Sequence, residues 1–263
     1  MKIYRGFVVL LEMILFALGA LYIGGVLFPV LSFKYKGEKR RQKFAQIIHN
    51  SWKFFISVME KSGEIKVNID GNLSDIKGKI VVASHPSFID IILLIGNMQP
   101  SLCLAKKSLL KNPFMKNIVK SLYIINDIEP EIFIKSAVEA LEAGYNIIIF
   151  PTGTRTLPGE DIKIHKGAAQ IAIASGVSIV PVRIEADYPL LIKNHFPLDA
   201  GIKTVNYKLT VLPEIKCSDF DFLEPEFSTS SKILDTVDSS NCFVVRTFST
   251  PVILIQPLIT SSP

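Results

Sequence analysis

Two side chains that could carry out acid–base chemistry lie close together in the segment Ser84-His85-Pro86-Ser87-Phe88-Ile89-Asp90. An aspartate that accepts a hydrogen bond from one imidazole nitrogen fixes the tautomer of the ring, and the other nitrogen can then act as a general base. His85 and Asp90 would supply a base and its orienting partner without an adjacent nucleophile, so we expect the substrate to provide the attacking hydroxyl. A purely structural pair is the alternative, and no nearby cluster of His, Asp or Cys indicates a metal site.

A second segment, Phe150-Pro151-Thr152-Gly153-Thr154-Arg155-Thr156, contains groups that can bind an anion. A loop that contains Gly153 offers backbone N–H groups, and Arg155 carries a planar guanidinium that suits phosphate or carboxylate. Lys106-Lys107 and Lys166 could add positive charge. The alternative is an ordinary turn with a surface arginine, in which case these lysines are solvated surface charges.

Both segments follow short apolar runs of the kind that forms buried strands. Strands are predicted at residues 79–84, 146–150, 178–184 and 207–212, and helices at residues 88–97, 130–143 and 166–175. Strands that alternate with helices indicate a layered α/β body. The predicted fold class is therefore α/β with a central, mostly parallel sheet.

An apolar segment near the N-terminus predicts a membrane helix. Residues 13–31 contain no charged side chain, and Glu12 alone separates them from the apolar residues 7–11. About 20 apolar residues are enough for a helix that spans a bilayer, and the mean hydropathy of +0.37 agrees with a segment removed from water. A cleaved signal peptide usually has a shorter apolar core. Glu12 and Gly24-Gly25 leave a re-entrant anchor in one leaflet as an alternative to a spanning helix.

The charges after this segment predict its orientation. Six Lys and Arg residues lie between positions 34 and 43, whereas Lys2 and Arg5 precede the segment. Because cytoplasmic flanks are rich in Lys and Arg, we expect the body on the cytoplasmic side of the inner membrane. Residues 39–61 then carry apolar side chains at helical spacing. They predict an interfacial helix whose basic start contacts anionic lipid, an amphipathic helix packed on the body, or both.

The overall charge argues against a nucleic-acid-binding protein. The net charge is +5, but residues 1–66 hold eleven basic and four acidic side chains, and the rest of the chain has a balance of −2. A nucleic-acid partner would require a basic face on the folded body. The three cysteines, Cys103, Cys217 and Cys242, are far apart in the sequence and predict neither a disulfide framework nor a zinc site.

Taken in order, these motifs resemble those of one family, the PlsC-type glycerolipid acyltransferases. The resemblance rests on His85-x4-Asp90, the Phe-Pro-x-Gly-Thr-Arg segment at 150–155, and Val180-Pro181-Val182. Ala105–Leu110 with Pro113-Phe114, and Lys166–Ala169, are further matches. The resemblance covers roughly residues 67–215. The predicted membrane helix that precedes this block also resembles the family.

The resemblance implies an α/β acyltransferase domain held on the bilayer by its N-terminal segment. His85 would be the catalytic base and Asp90 its partner. The acceptor hydroxyl would attack the thioester of acyl-CoA or acyl-carrier protein, which makes this donor and a membrane lipid acceptor the expected partners, with no metal or other cofactor. The residues expected to bind substrate are Thr152, Gly153, Thr154, Arg155, Lys106, Lys107 and Lys166.

Three positions depart from the family pattern. Thr152 stands where the family usually has Glu, and in the segment 121–127 Ser121 replaces a Gly and Asp127 replaces an Arg that helps to bind the acceptor phosphate. Since a carboxylate repels a phosphate dianion, we expect lysophosphatidate to be a poor acceptor. A thioester hydrolase and a non-catalytic lipid-binding or scaffold protein are the competing functions.

The predicted organisation has four parts. Residues 1–35 form the membrane anchor, residues 36–66 the amphipathic interfacial helix, and residues 67–226 the acyltransferase domain. The tail, residues 227–263, is rich in Ser and Thr at its start and shows no periodicity, so we expect it to be poorly ordered or loosely docked.

Overall fold

The computed structural model describes residues 2–85, 87–98, 101–153, 165–187 and 203–216, together with three short strands near the C-terminus. The helices are α1 (Lys2–Tyr22), α2 (Phe28–Lys34), α3 (Gly37–Lys61), α4 (Ile89–Asn97), α5 (Lys116–Leu122), α6 (Pro130–Glu142) and α7 (Gly167–Ser175). The main strands are β1 (Ile65–Asp70), β2 (Ile80–Ala83), β3 (Ser101–Ala105), β4 (Ile124–Ile125), β5 (Asn146–Ile149), β6 (Ile179–Ala186) and β7 (Val205–Val211).

The strands β1–β7 form one sheet in the order β1-β7-β6-β2-β5-β3-β4. Strands β6, β2, β5, β3 and β4 run parallel to one another. Strand β7 runs antiparallel to β6, and β1 runs parallel to β7. The predicted α/β class with a mostly parallel sheet is therefore confirmed. All four predicted strands are present, as β2, β5, β6 and β7.

Two helical layers cover the sheet. Helix α3 contacts α4 and α5, while α6 and α7 contact each other. Right-handed crossovers between parallel strands place α4 and α5 on one face and α6 and α7 on the other. The core lies between these layers and includes the fully buried residues Ile80, Val81, Ile92, Leu93, Ile147 and Ile148.

The C-terminal strands β8 (Thr236–Asp238), β9 (Cys242–Arg246) and β10 (Pro251–Ile255) form a separate antiparallel sheet. Most of residues 227–263 lie outside the described residues. The expectation of a poorly ordered or loosely docked tail therefore stays a prediction, as do the boundaries of the four predicted parts.

The N-terminal segment is helical almost throughout. A π-helical turn at Ile23–Leu27 joins α1 to α2, and the stretch Tyr4–Lys34 is long and apolar enough to cross a membrane by length and composition. Helix α1 begins at Lys2 and so includes Arg5 and Glu12, which precede the uncharged run. These two residues lie on the face that is turned toward the body. Both side chains are buried.

Contacts tie this segment to the body along most of its length. Arg5 forms an ion pair with Glu64, with 2.7 Å between Nη2 and Oε2. Ser62 Oγ donates to Glu12 Oε1 at 2.7 Å. Further along, Asn117 Nδ2 donates to the carbonyl of Gly24 at 2.9 Å, in a close approach where a β-carbon on Gly24 would lie 3.3 Å from Asn117 Cβ.

Helix α3 packs closely on the body through one face. Its buried side chains are Phe44, Ala45, Ile48, His49, Trp52, Phe55, Ile56 and Met59. The helix therefore packs on the body, while Lys39, Arg40 and Lys43 at its start are exposed. Contact of this basic start with anionic lipid stays a prediction. Gly96 in α4 allows the close crossing, since a β-carbon there would lie 2.5 Å from Ile56 Cδ1 and 3.2 Å from the backbone nitrogen of Lys53.

Gly96→Ala should therefore destabilise the protein, although alanine is the better helix former. Overpacking of this kind costs about 1–3 kcal/mol, and the backbone atom of Lys53 cannot move aside as the end of the Ile56 side chain can. We expect the apparent Tm in detergent micelles to fall by about 2–10 °C. Gly19→Ala is the matched control, because Gly19 is helical and a β-carbon added to it would have no neighbouring atom within 4 Å. An unchanged Tm for Gly96→Ala would contradict this packing.

Candidate active site

Several of the described residues that the sequence analysis singled out lie at one edge of the sheet. His85 follows β2, Thr152 and Gly153 follow β5, and the lysine pair Lys106-Lys107 follows β3. Because β2, β5 and β3 are adjacent and parallel, their carboxyl ends lie side by side. In open α/β sheets, ligands bind in the crevice beyond these ends.

The His85 and Asp90 side chains form a hydrogen-bonded pair. His85 Nδ1 lies 3.0 Å from Asp90 Oδ2, and the Asp90 carboxylate is fully buried. Two groups of Ser87 donate to the same carboxylate, the backbone N–H to Oδ2 at 2.7 Å and the hydroxyl to Oδ1 at 2.9 Å. Asp90 also lies in the first turn of α4, where the helix dipole favours a negative charge.

This arrangement determines which histidine nitrogen can act on a substrate. A carboxylate only accepts hydrogen bonds, so Nδ1 carries the proton and Nε2 presents its lone pair. The His85 side chain keeps 17% of its surface exposed, whereas that of Asp90 has none. The ring also stacks on Phe150, with 4.1 Å between centroids, which limits its rotation. The Nε2 atom of His85 thus faces away from Asp90, which is the orientation that a general base would need.

The chain before the pair is fixed by the neighbouring strand. Ser84 Oγ donates to the carbonyl of Ile184 on β6 and accepts from the backbone N–H of the same residue, both at 3.3 Å. These contacts hold the end of β2 just before His85. The hydroxyl of Tyr207 on β7 lies 3.3 Å from Ser87 Oγ. Neither Ser87 nor Tyr207 was predicted as a site residue. The position of Ser87 between His85 and Asp90 is the signal that could have found it, whereas Tyr207 has no local motif.

The described start of the second loop turns at Gly153. Gly153 has a φ of +61°, and its N–H donates to the carbonyl of Phe150 at 2.9 Å. Thr152 is buried in this turn. Thr154 and Arg155 lie outside the described residues, so their contribution stays a prediction. His165, which sequence reasoning did not single out, lies against Gly153, with its Cδ2 atom 3.3 Å from where a β-carbon would stand.

Of the charged residues near this edge, Lys106, Lys107 and Asp127 are exposed and Lys166 is half-buried. Lys106 and Lys107 lie at the start of a 3-10 turn, and Lys166 directly precedes α7. Asp127, which follows β4, accepts a hydrogen bond from the backbone N–H of Lys107 at 2.5 Å. The carboxylate of Asp127, which replaces the arginine of the family pattern, therefore lies against the turn that carries Lys106 and Lys107. This turn is at the same edge of the sheet as the His85–Asp90 pair.

The described residues offer little support for other chemistry at this edge. Among them, no group of three or more His, Cys, Asp or Glu side chains could hold a metal ion. Cys103 on β3 is buried, and burial raises the pKa of its thiol to about 12, so it is not a ready nucleophile.

Comparison with known proteins agrees with this geometry. A sequence model of the acyltransferase family matches residues 64–185, which contain both site segments. The 1-acyl-sn-glycerol-3-phosphate acyltransferase of Borreliella burgdorferi is 27% identical over 165 residues, which are 60% of this chain and 66% of that protein. The enzyme of the same name from Bacillus subtilis is 28% identical over 129 residues, 47% of this chain and 64% of that protein. The matches thus span slightly less than two thirds of these relatives.

A solved structure resembles the whole fold. The crystal structure of the 1-acyl-sn-glycerophosphate acyltransferase PlsC from Thermotoga maritima superposes with a TM-score of 0.63 at 25% identity, over 84% of this chain and 90% of that one. The shared sheet, the His85–Asp90 pair at its edge and the family match point to the same group of proteins, while Thr152 and Asp127 depart from its pattern. Together these findings support a divergent member of the PlsC-type glycerolipid acyltransferase family.

Proposed function

We propose that the protein is a membrane-associated O-acyltransferase. It moves a fatty acyl group from the thioester of acyl-CoA or acyl-carrier protein to a hydroxyl of a lyso-lipid. The observation that carries this proposal is the buried Asp90 carboxylate bonded to Nδ1 of a partly exposed His85. The names of the curated relatives support the same reaction class.

The pair supplies what acyl transfer to an alcohol requires. Nε2 of His85 removes the proton of the acceptor hydroxyl as its oxygen attacks the thioester carbonyl. The carbon–sulfur bond then breaks, the acyl group stays on the acceptor oxygen, and the leaving thiolate takes the proton from Nε2 of His85, which restores the neutral imidazole. Asp90 stabilises the imidazolium that exists between these steps, since its negative charge lies against Nδ1. No acyl-enzyme intermediate is needed.

The acceptor site combines positive and negative charge. The relatives are named for 1-acyl-sn-glycerol-3-phosphate, whose head is a phosphate dianion. In this chain, the positive charges of Lys106 and Lys107 lie beside the negative charge of Asp127, which accepts a hydrogen bond from the backbone of Lys107. The exposed Asp127 carboxylate repels a phosphate dianion, and water screens part of this repulsion. This chain therefore prefers a neutral or zwitterionic lyso-lipid to lysophosphatidate.

The N-terminal helix lies along the body with its outer face in one leaflet. Its outward apolar side chains include Tyr4, Phe7, Leu11, Ile14, Leu18, Tyr22, Val26, Val30 and Phe33. Its inner face contacts the body from Arg5 to Phe28, which stacks on Phe44 with 3.7 Å between centroids. The contacts therefore extend along about 35 Å of helix, which is the length that a bilayer-spanning segment would need. Crossing the bilayer would draw the polar exposed face of α3 into hydrocarbon, which is costly.

The first prediction concerns the base. His85→Ala should lower kcat for lyso-lipid acylation by about 10²–10⁴-fold, the usual cost of removing a general base. Asp90→Asn removes the charge that stabilises the imidazolium, and should lower kcat at least about tenfold while the acceptor KM stays unchanged. Labelled diacyl product is measured by chromatography, with the Tm of each variant as the control for folding. A His85→Ala protein that retains a third of the wild-type rate would rule out this mechanism.

The second prediction concerns the acceptor head. Asp127→Arg should raise the activity on lysophosphatidate about tenfold relative to a zwitterionic lyso-lipid, because a charge-assisted contact replaces a repulsion. Asp75→Arg is the matched control, since Asp75 is exposed in the turn before β2 and lies at the opposite edge of the sheet. Initial rates are compared at equal surface concentration of each lipid. If wild-type protein already favours lysophosphatidate tenfold, the inference from Asp127 is wrong.

The third prediction concerns the anchor. In membrane vesicles with the cytoplasmic face outward, a tag attached before Met1 should be digested by protease together with the body. The reason is that Arg5 and Glu12 hold the start of α1 beside Ser62 and Glu64 of the body. Digestion after detergent treatment gives the total amount of tag. A tag that is protected in intact vesicles while the body is digested would show a helix that spans the bilayer.

A further inference from the structure

One buried side chain from outside the motif reaches the catalytic pair through a hydrogen bond. Tyr207 lies on β7, where it pairs across the sheet with Ala186 at the carboxyl end of β6. Its side chain points inward, and its hydroxyl lies 3.3 Å from Ser87 Oγ, 120 residues away in sequence. Tyr207 and Ser87 are almost completely buried, so water does not compete for this contact.

The directions of the hydrogen bonds follow from the acceptor at their end. The Asp90 carboxylate can only accept, so the Ser87 hydroxyl donates its hydrogen to Oδ1 at 2.9 Å. The same oxygen of Ser87 then accepts from Tyr207, and also from the backbone N–H of Ile89 at 3.2 Å. The order is therefore Tyr207 to Ser87 to Asp90, with His85 donating to the other carboxylate oxygen.

The chemistry of Tyr207 fits the role of a permanent donor. Burial, and next the negative charge of Asp90, raise the pKa of the Tyr207 hydroxyl above its ordinary value, so it keeps its proton at any pH where the enzyme would work. Donation from Tyr207 occupies a lone pair of Ser87 Oγ and leaves the serine hydrogen directed at Asp90. Without Tyr207, the serine hydroxyl could rotate away, and the carboxylate could turn in its site.

We infer that Tyr207 is a positioning residue of this active site, acting through Ser87 to fix the orientation of the Asp90 carboxylate and thereby of His85. This inference rests on the proposed acyl transfer. It adds a residue from outside the region that the family model matches, which ends at residue 185. A group that orients the base without touching substrate changes the rate of the chemical step and leaves acceptor binding unchanged.

The test is a cycle of variants of the full chain in detergent micelles, assayed for acylation of a lyso-lipid. Tyr207→Phe removes only the hydroxyl and should lower kcat about three- to tenfold with the acceptor KM unchanged. Ser87→Ala should lower kcat further, while Ser87→Thr, which keeps a hydroxyl, should retain more activity than Ser87→Ala. The double variant Ser87→Ala/Tyr207→Phe should be no slower than Ser87→Ala alone, because Tyr207 acts through Ser87.

Tyr145→Phe is the matched control. Tyr145 is also buried, and its hydroxyl donates to Glu38 at the start of α3. Tyr145 directly precedes the amino end of β5, away from the pair. This variant should keep the wild-type kcat. If Tyr207→Phe fails to fold, the comparison of Ser87→Ala with Ser87→Thr still decides whether the hydroxyl at position 87 supports the rate.

A spectroscopic measurement reads the orientation itself and does not depend on activity. The Nδ1–H proton of His85 should give a downfield NMR signal that is absent in His85→Ala. Tyr207→Phe should shift this signal, and Tyr145→Phe should leave it in place.

Two kinds of failure are separable. Wild-type protein that transfers no acyl group to any lyso-lipid would overturn the proposed function. Active wild-type protein with an unchanged kcat and an unchanged Nδ1–H signal in Tyr207→Phe would overturn the role of Tyr207 alone. The same conclusion would follow if the losses of Tyr207→Phe and Ser87→Ala multiplied in the double variant.

Discussion

The buried negative charge of Asp90 is the constraint on which the arrangement of the site depends. An unpaired carboxylate in the interior is very costly, and it persists only where hydrogen bonds compensate it. Here the donors are the N–H and hydroxyl of Ser87 and the ring of His85. They meet because β2 ends in a turn that leads at once into α4. The order β7-β6-β2 then brings Tyr207 within reach of the same group.

The apolar N-terminal helix and the loop that carries His85 are in direct contact. Phe16 of α1 stacks on Trp52 of α3 at 5.2 Å between centroids, and it meets Phe88 edge to face at 5.4 Å. Phe88 lies between Ser87 and Asp90 in the loop that carries the base. Under the proposed placement of α1 in one leaflet, lipid around it would lie near the His85–Asp90 pair. That would suit an acceptor whose chain stays in the leaflet while its hydroxyl reaches His85.

Much of the fold could be predicted from the sequence, because buried parallel strands are short continuous apolar runs. That signal is clear in β2, β5 and β6. It fails for β1 (Ile65–Asp70), in which polar residues alternate with apolar ones, and for β4, which has two residues. The buried pair Arg5 and Glu64 was also out of reach, since a charge in an apolar helix predicts an interruption and not its distant partner.

The candidate site, like the fold, has some features that the sequence predicts and others that it does not. The spacing of His85 and Asp90 on one loop predicts their meeting, because a short turn brings nearby residues together. Tyr207 could not be predicted, since its contact with Ser87 depends on the register of β7 against β6, which no local pattern specifies. Likewise, the sequence showed that Asp127 is acidic, but only the fold shows that it contacts the backbone of Lys107.

The central claim is that His85 activates the acceptor hydroxyl directly, with no covalent acyl-enzyme. Intact-protein mass spectrometry tests it most directly, on protein mixed with a labelled acyl thioester and quenched during turnover, with and without lyso-lipid. Direct transfer predicts protein of unchanged mass in both cases, and consumption of the thioester that requires the lyso-lipid. An acyl group bound to the protein, formed and lost as fast as product appears, or equal consumption without lyso-lipid, would contradict it.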